Sequence, residues 1–325
     1  MKRKALILLI TIEVLIIVFL SFLVVTSLIE RSNPYSQAID DFSLKDEPAH
    51  PYDATYWTYS FPEFELKPNF TQKFDGAVIK LSEITTIKTN NDGFRDNKDY
   101  EINKSPDIVR IIFLGDSYTF GWGVNIEDSW PKVVERLLNE NSDNKTYEVF
   151  NLGVPGYNTA QEVTLYKNKG LKYDPDMVLI HVFSNDLSNF TEEELEAKKY
   201  KQELNLKKLP EYEIERLVWE KKAEILNRYL INMSLYWENI DNPLKELKEI
   251  SGNKTVIILD IENPTDFSNK LETNSKELGI NYLKIKVKYT KIHPLDHHPD
   301  KDTHKRIGES IYKEITPIID KLEKT

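Results

Sequence analysis

Ile108-Val109-Arg110-Ile111-Ile112-Phe113-Leu114 runs straight into Gly115-Asp116-Ser117-Tyr118-Thr119-Phe120-Gly121. An apolar run this short, rich in Ile and Val, reads as a strand buried on both faces. The glycine then lets the chain turn. The turn leaves Ser117 at the carboxyl end of the strand, the edge of a parallel sheet where ligands bind.

Working outward, similar runs recur at TYEVFNL (146–152), MVLIHVF (177–183), TVIILDI (255–261) and INYLKI (280–285). Between them lie helix signals at Trp130 to Leu138 after Ser129, and at Ala160 to Lys169 after Thr159, where Thr159-x-x-Glu162 spells a capping box. The last segment, Lys305 to Leu322, carries Ile307, Ile311, Ile315, Ile318, Ile319 and Leu322 at helical spacing. Strands alternating with helices predict an α/β fold, a mostly parallel five-stranded sheet covered on both faces. An insertion at 191–250, charged and helical in pattern, opens with Thr191-x-x-Glu194 and continues in a longer helix after Pro210. It reads equally as a lid over the site or as padding on the domain's flank. Residues 28–105, punctuated by prolines, read as a stalk and a small irregular or β-rich cap, and residues 106–325 as the main domain.

Three further stretches bear chemistry. Asn151-Leu152-Gly153-Val154-Pro155-Gly156 follows the second strand, and Ser184-Asn185-Asp186 follows the third. Asp296-His297-His298-Pro299, with His304 beyond, precedes the last helix. Taken singly, these read as a Pro-Gly turn, a helix cap, and a surface metal site or polar loop. The Ser117 frame is not the G-x-S-x-G elbow, since its glycine comes two residues before the serine.

Together and in this order, the four stretches resemble the blocks of the SGNH, or GDSL, hydrolase family. GDSYTFGWG is similar to its first block, with Tyr118 where the motif's namesake has Leu. The last block departs from the usual D-x-x-H, since the fit here is D-x-H-P. The resemblance spans roughly residues 106–190 and 255–320. It implies a three-layer α/β/α sandwich with Ser117 as nucleophile, His298 as base and Asp296 as its orienting carboxylate. It also implies an oxyanion hole of Ser117, Gly156 and Asn185, with Gly153 the alternative to Gly156. Asp116 is expected to cap the following helix, and Gly121-Trp122-Gly123 to shape the pocket wall. No cofactor and no metal is implied.

These residue types suit acyl transfer. A serine hydroxyl needs a neighbouring base, and an imidazole held by a carboxylate supplies one. The charge that develops on the carbonyl oxygen needs N–H donors. An ester-bearing substrate, an acylated glycan or lipid, follows as the expected partner. An O-acyltransferase using the same triad and a non-catalytic scaffold are the other readings.

At the amino end, Ala5 to Val25 is a 21-residue apolar run, broken only by Glu13 and long enough to cross a bilayer once. Lys2, Arg3 and Lys4 before it predict a cytoplasmic amino terminus, an anchor over 5–27 and an extracytoplasmic main domain. A cleaved signal peptide is the rival reading, although the run exceeds a usual h-region and lacks an A-x-A-like exit.

The net charge is −10. Lys2, Arg3, Lys4 and Glu13 give the first 27 residues +2 and leave −12 on the rest, which excludes nucleic acid as a partner. With no cysteine, disulfides, thiolate–metal sites and thiol nucleophiles are excluded as well.

Overall fold

The computed structural model describes residues 57–60, 63–74, 84–187, 190–205, 207, 209, 211–294 and 296–322. The chain divides into two units, residues 1–49 and 50–325, and every described residue belongs to the second. The expected anchor, Glu13 included, lies outside the described residues. Among those described, no helix is long and apolar enough to cross a membrane.

Two antiparallel pairs come first: β1 (Trp57–Ser60) with β2 (Glu63–Leu66), and β3 (Thr71–Phe74) with β4 (Thr85–Lys88). The main sheet follows, with β5 (Ile108–Gly115), β6 (Thr146–Gly153), β7 (Met177–His181), β8 (Thr255–Ile261) and β9 (Asn281–Ile285). Its order is β6-β5-β7-β8-β9 and every pairing is parallel, as the apolar runs predicted.

Alternation along each strand divides the core in two. Ile111, Phe113, Met177, Leu179 and Ile257 face α2 (Trp130–Glu140) and α9 (Lys301–Leu322). Ile112, Leu114, Phe150, Val178 and Ile258 face α3 (Thr159–Leu165), α7 (Glu238–Ser251) and α8 (Thr265–Leu278). Each such side chain, fully buried, is worth about 1.5–3 kcal/mol. Arg110, within the apolar run, is buried because its guanidinium is met by Glu148 at 2.8 Å and by the carbonyls of Glu101, Ile102 and Tyr173.

Within 191–250 the chain forms α4 (Phe190–Asn205), α5 (Glu211–Ile231), α6 (Met233–Tyr236) and α7. Ala197, Leu204, Ile214 and Val218 make a small cluster of their own. Ile240, Leu244 and Leu247 of α7 are fully buried in the main core, so α7 is the crossover helix between β7 and β8. Ile225 and Tyr229 of α5 join the core cluster that holds Leu187, and α5 packs against the Ser184–Leu187 turn.

One expectation needs correction. The capping box at the start of α3 is Asn158 with Gln161, not Thr159 with Glu162. The Asn158 side chain reaches the Gln161 N–H at 3.1 Å, while Thr159 and Glu162 turn inward and are fully buried. The helix is also shorter than expected. After Leu165 it widens into a single π-type turn, Tyr166–Gly170.

Candidate active site

Ser117 begins α1 (Ser117–Phe120), a one-turn helix directly after β5. Asp116 caps it, accepting the Tyr118 N–H at 2.9 Å as expected, and also accepts the Asn185 side-chain amide at 3.2 Å. The residue before Ser117 therefore fastens the third stretch to the first.

His298, the candidate base, arrives on β11 (Asp296–Pro299), which pairs with β10 (Lys291–His293) in a hairpin ahead of α9. Side chains two apart on a strand share a face. The D-x-H spacing, a departure from the family's pattern, therefore points Asp296 and His298 the same way. His298 Nε2 stands 2.8 Å from Ser117 Oγ, and its Nδ1 stands 2.6 Å from Asp296 Oδ1, so hydroxyl, imidazole and carboxylate form one relay. Burial raises the Asp296 pKa, but the His298 hydrogen bond and charge, aided by the Trp122 side chain, outweigh it and hold the carboxyl below its ordinary range. Asp296 stays an acceptor and fixes which His298 nitrogen faces the serine.

The two candidate glycines have different roles. Gly153 ends β6, and its N–H is committed to Asn151 Oδ1 at 2.9 Å. A Cβ there would stand 2.2 Å from the Phe120 backbone nitrogen, so glycine is needed for α1 to approach β6. Gly156 sits at φ +83° in a turn closed by the Tyr157 N–H on the Val154 carbonyl, the arrangement of a type II turn with Pro155 ahead of it. The Val154 N–H binds the Gly115 carbonyl at 3.0 Å, which moors this turn to the carboxyl end of β5.

The clustered histidines have separate partners. His297 Nδ1 lies 2.8 Å from Lys291 Nζ. His304 is wholly buried, and its Nδ1 accepts the Trp130 N–H at 3.3 Å. Among the described residues no group of three or more His, Asp or Glu is arranged to hold a metal ion.

Burial pulls the His304 pKa down to about 3, with the His298 charge adding to the effect. Burial lowers His181 in the same direction. An unfolded histidine titrates near pH 6.5, so the unfolded chain binds more protons than the folded one below roughly that pH. Stability from both histidines is present above that value and drains away as pH falls towards 3. The wild-type urea midpoint is expected to fall relative to that of His304→Asn as pH drops from about 6.5 towards about 5. That difference isolates the histidine from the buried Glu162 and Asp186 carboxyls, whose raised pKa acts in the opposite sense. A difference that stays flat down to about pH 5 would contradict it.

Several neighbours of the relay have no part in it assigned from sequence. The Trp122 ring lies 5.7 Å from the His298 ring, and its side chain bonds Asp296, so it supports the relay as well as the wall. Tyr118 packs 5.2 Å from the same imidazole. His181, on β7, lies 3.9 Å from Asp116. The bracketing glycines at 121 and 123 were the only sequence signal for Trp122.

A model of the GDSL-like lipase/acylhydrolase family matches residues 113–278, which takes in Ser117, Gly156 and Asn185 and stops before β11. An uncharacterized protein of Mycoplasma pneumoniae is 21% identical over 155 residues, 46% of this chain. The chain spans only 18% of that relative's length. Among solved structures, a family 3 carbohydrate esterase of Clostridium thermocellum is 16% identical with a TM-score of 0.43, the match covering 66% of this chain and 98% of that one. The psychrotrophic esterase EstA of Pseudoalteromonas sp. is 14% identical with a TM-score of 0.42, over 65% of this chain and 98% of that one.

Proposed function

Because the chain belongs to the GDSL-like lipase/acylhydrolase family, we propose that it is a serine ester hydrolase acting outside the cytoplasm on small acyl groups, acetyl first, carried by an envelope or extracellular glycan. The observation that carries the reading is the unbroken relay from Ser117 Oγ through His298 to Asp296, at 2.8 and 2.6 Å.

In the first step the Ser117 proton passes to His298 Nε2 while Oγ bonds the ester carbonyl carbon. The carbonyl electron pair moves onto its oxygen, where the Ser117 and Gly156 backbone N–H groups and the Asn185 side-chain amide stabilise it. As the carbon–oxygen bond to the alcohol breaks, that alcohol takes the proton from His298. Water then repeats both steps on the acyl-enzyme, releasing the acid and restoring Ser117.

Support for the location is the apolar run over 5–25 behind Lys2, Arg3 and Lys4, which would anchor the chain with its amino end cytoplasmic. Support for a polymeric substrate is that same placement, since an anchored enzyme facing outward meets envelope polymers.

The test incubates the purified protein with an O-acetylated polysaccharide, with and without an unacetylated glycan acceptor. Free acetate from wild type, abolished in Ser117→Ala and not diverted by acceptor, is the expected result. Acetyl recovered on the acceptor would make it an acyltransferase, and neither product would leave a scaffold.

A further inference from the structure

The start of α3 carries a second buried polar arrangement. Thr159 and Glu162 stand three residues apart on α3 and so share one face, and both are fully buried. Thr159 Oγ1 donates to Asp186 Oδ2 at 2.9 Å, and the Phe183 N–H donates to the same oxygen at 3.1 Å. The Thr159 bond therefore sets Asp186 against the face of α3 that carries Glu162, and the two carboxyls are both buried and feel each other's charge. No N–H or O–H of the described residues reaches Asp186 Oδ1 or either Glu162 oxygen.

Three buried carboxyl oxygens without a donor cannot all belong to anions, because an unpaired buried charge costs several kcal/mol. A proton held between the two carboxyls supplies the missing donor. We propose that Glu162 is a positioning residue, sharing one proton with Asp186 in a carboxyl–carboxyl hydrogen bond that fixes the Ser184–Leu187 turn and so aims Asn185 at the nucleophile. The proposal rests on the ester-hydrolase reading for its kinetic consequences but not for the bond itself.

The surrounding charges favour the shared proton. Burial, then Asp186 and Asp116, push Glu162 well above the ordinary carboxylate range, and burial with Asp116 does the same for Asp186. No basic side chain is among the charges that act on either carboxyl, and His181 on β7, 3.9 Å from Asp116, is kept neutral by burial. On the α7 side the packed residues are Ile240, Leu244 and Leu247, which bring no charge. Both Asp116 oxygens already accept, one from the Asn185 amide and one from the Tyr118 N–H, so Asp116 offers no donor to either carboxyl.

The test compares two variants of the full chain. Glu162→Gln keeps an N–H donor to Asp186 and is expected to hold kcat within about threefold, whereas Glu162→Leu fills the volume without a donor and is expected to lower kcat by roughly 30- to 100-fold with KM little changed. Structural filling alone would be satisfied by Leu, so a Leu variant at wild-type kcat overturns the proposal. A Gln variant as impaired as Leu overturns it too. Independently of activity, infrared difference spectra at neutral pH should show a protonated-carboxyl band in wild type that Glu162→Gln removes. Its absence from wild type also overturns the proposal. If wild type cleaves no ester, the hydrolase reading fails while the infrared outcome still decides this one.

Discussion

Replacing Ser117 with Ala is expected to lower kcat/KM on a chromogenic acetate ester by roughly 10⁴- to 10⁶-fold while leaving the urea midpoint nearly unchanged. The substitution deletes one oxygen whose mapped partner is the His298 imidazole, so it removes the nucleophile without opening a core cavity. Background hydrolysis assisted by the N–H donors and by binding sets the floor. Activity within about tenfold of wild type would mean that the reaction does not pass through this hydroxyl.

His298→Ala is expected to cost about as much, and Ser117→Ala/His298→Ala little more than either alone. The reason is mechanical coupling. Ser117 is a poor nucleophile until His298 takes its proton, and His298 has no catalytic role once the hydroxyl is gone. Residues acting as one unit are non-additive in this way, and losses that instead multiplied would place the two side chains in separate steps. Asp296→Asn should fall short of these, at roughly 10⁴-fold, because the amide can present its N–H to Nδ1 and favour the wrong tautomer. Steady-state kinetics on the four variants, each with its denaturation curve, separates these cases from misfolding.

Much of this arrangement was legible in the chain itself. Each strand of the main sheet falls within two residues of an apolar run; for β5, β7 and β8 this is because a strand buried on both faces has to be apolar nearly throughout, whereas the edge strand β9 exposes Asn281 and Lys284. The candidate nucleophile, base, carboxylate and Asn185 were marked by their positions after strands or ahead of a helix. The D-x-H spacing was harder to read. It became intelligible once β11 proved to be extended, which puts alternate residues on one face.

What stayed hidden depends on contacts between residues far apart in sequence. Glu162 looks like an ordinary capping-box acid, and only the fold reveals that Asn158 does the capping while Thr159 bonds Asp186 and Glu162 is fully buried. Residues 89–100 have no period because irregular backbone is held there by individual side chains. Arg95 reaches the carbonyls of Thr86 and Val124, and the Asp96–Lys132 pair closes at 2.6 Å against α2. Tyr100 stacks on Phe150 with centroids 3.8 Å apart, a packing that no local pattern encodes.

The most direct measurement is the site of covalent capture by a fluorophosphonate, mapped by peptide mass spectrometry on the native protein. The account predicts a single stoichiometric adduct on Ser117, which does not form when the protein is unfolded before the probe is added and forms far more slowly in His298→Ala. A native, folded protein left unmodified, or one labelled at another serine, would contradict it.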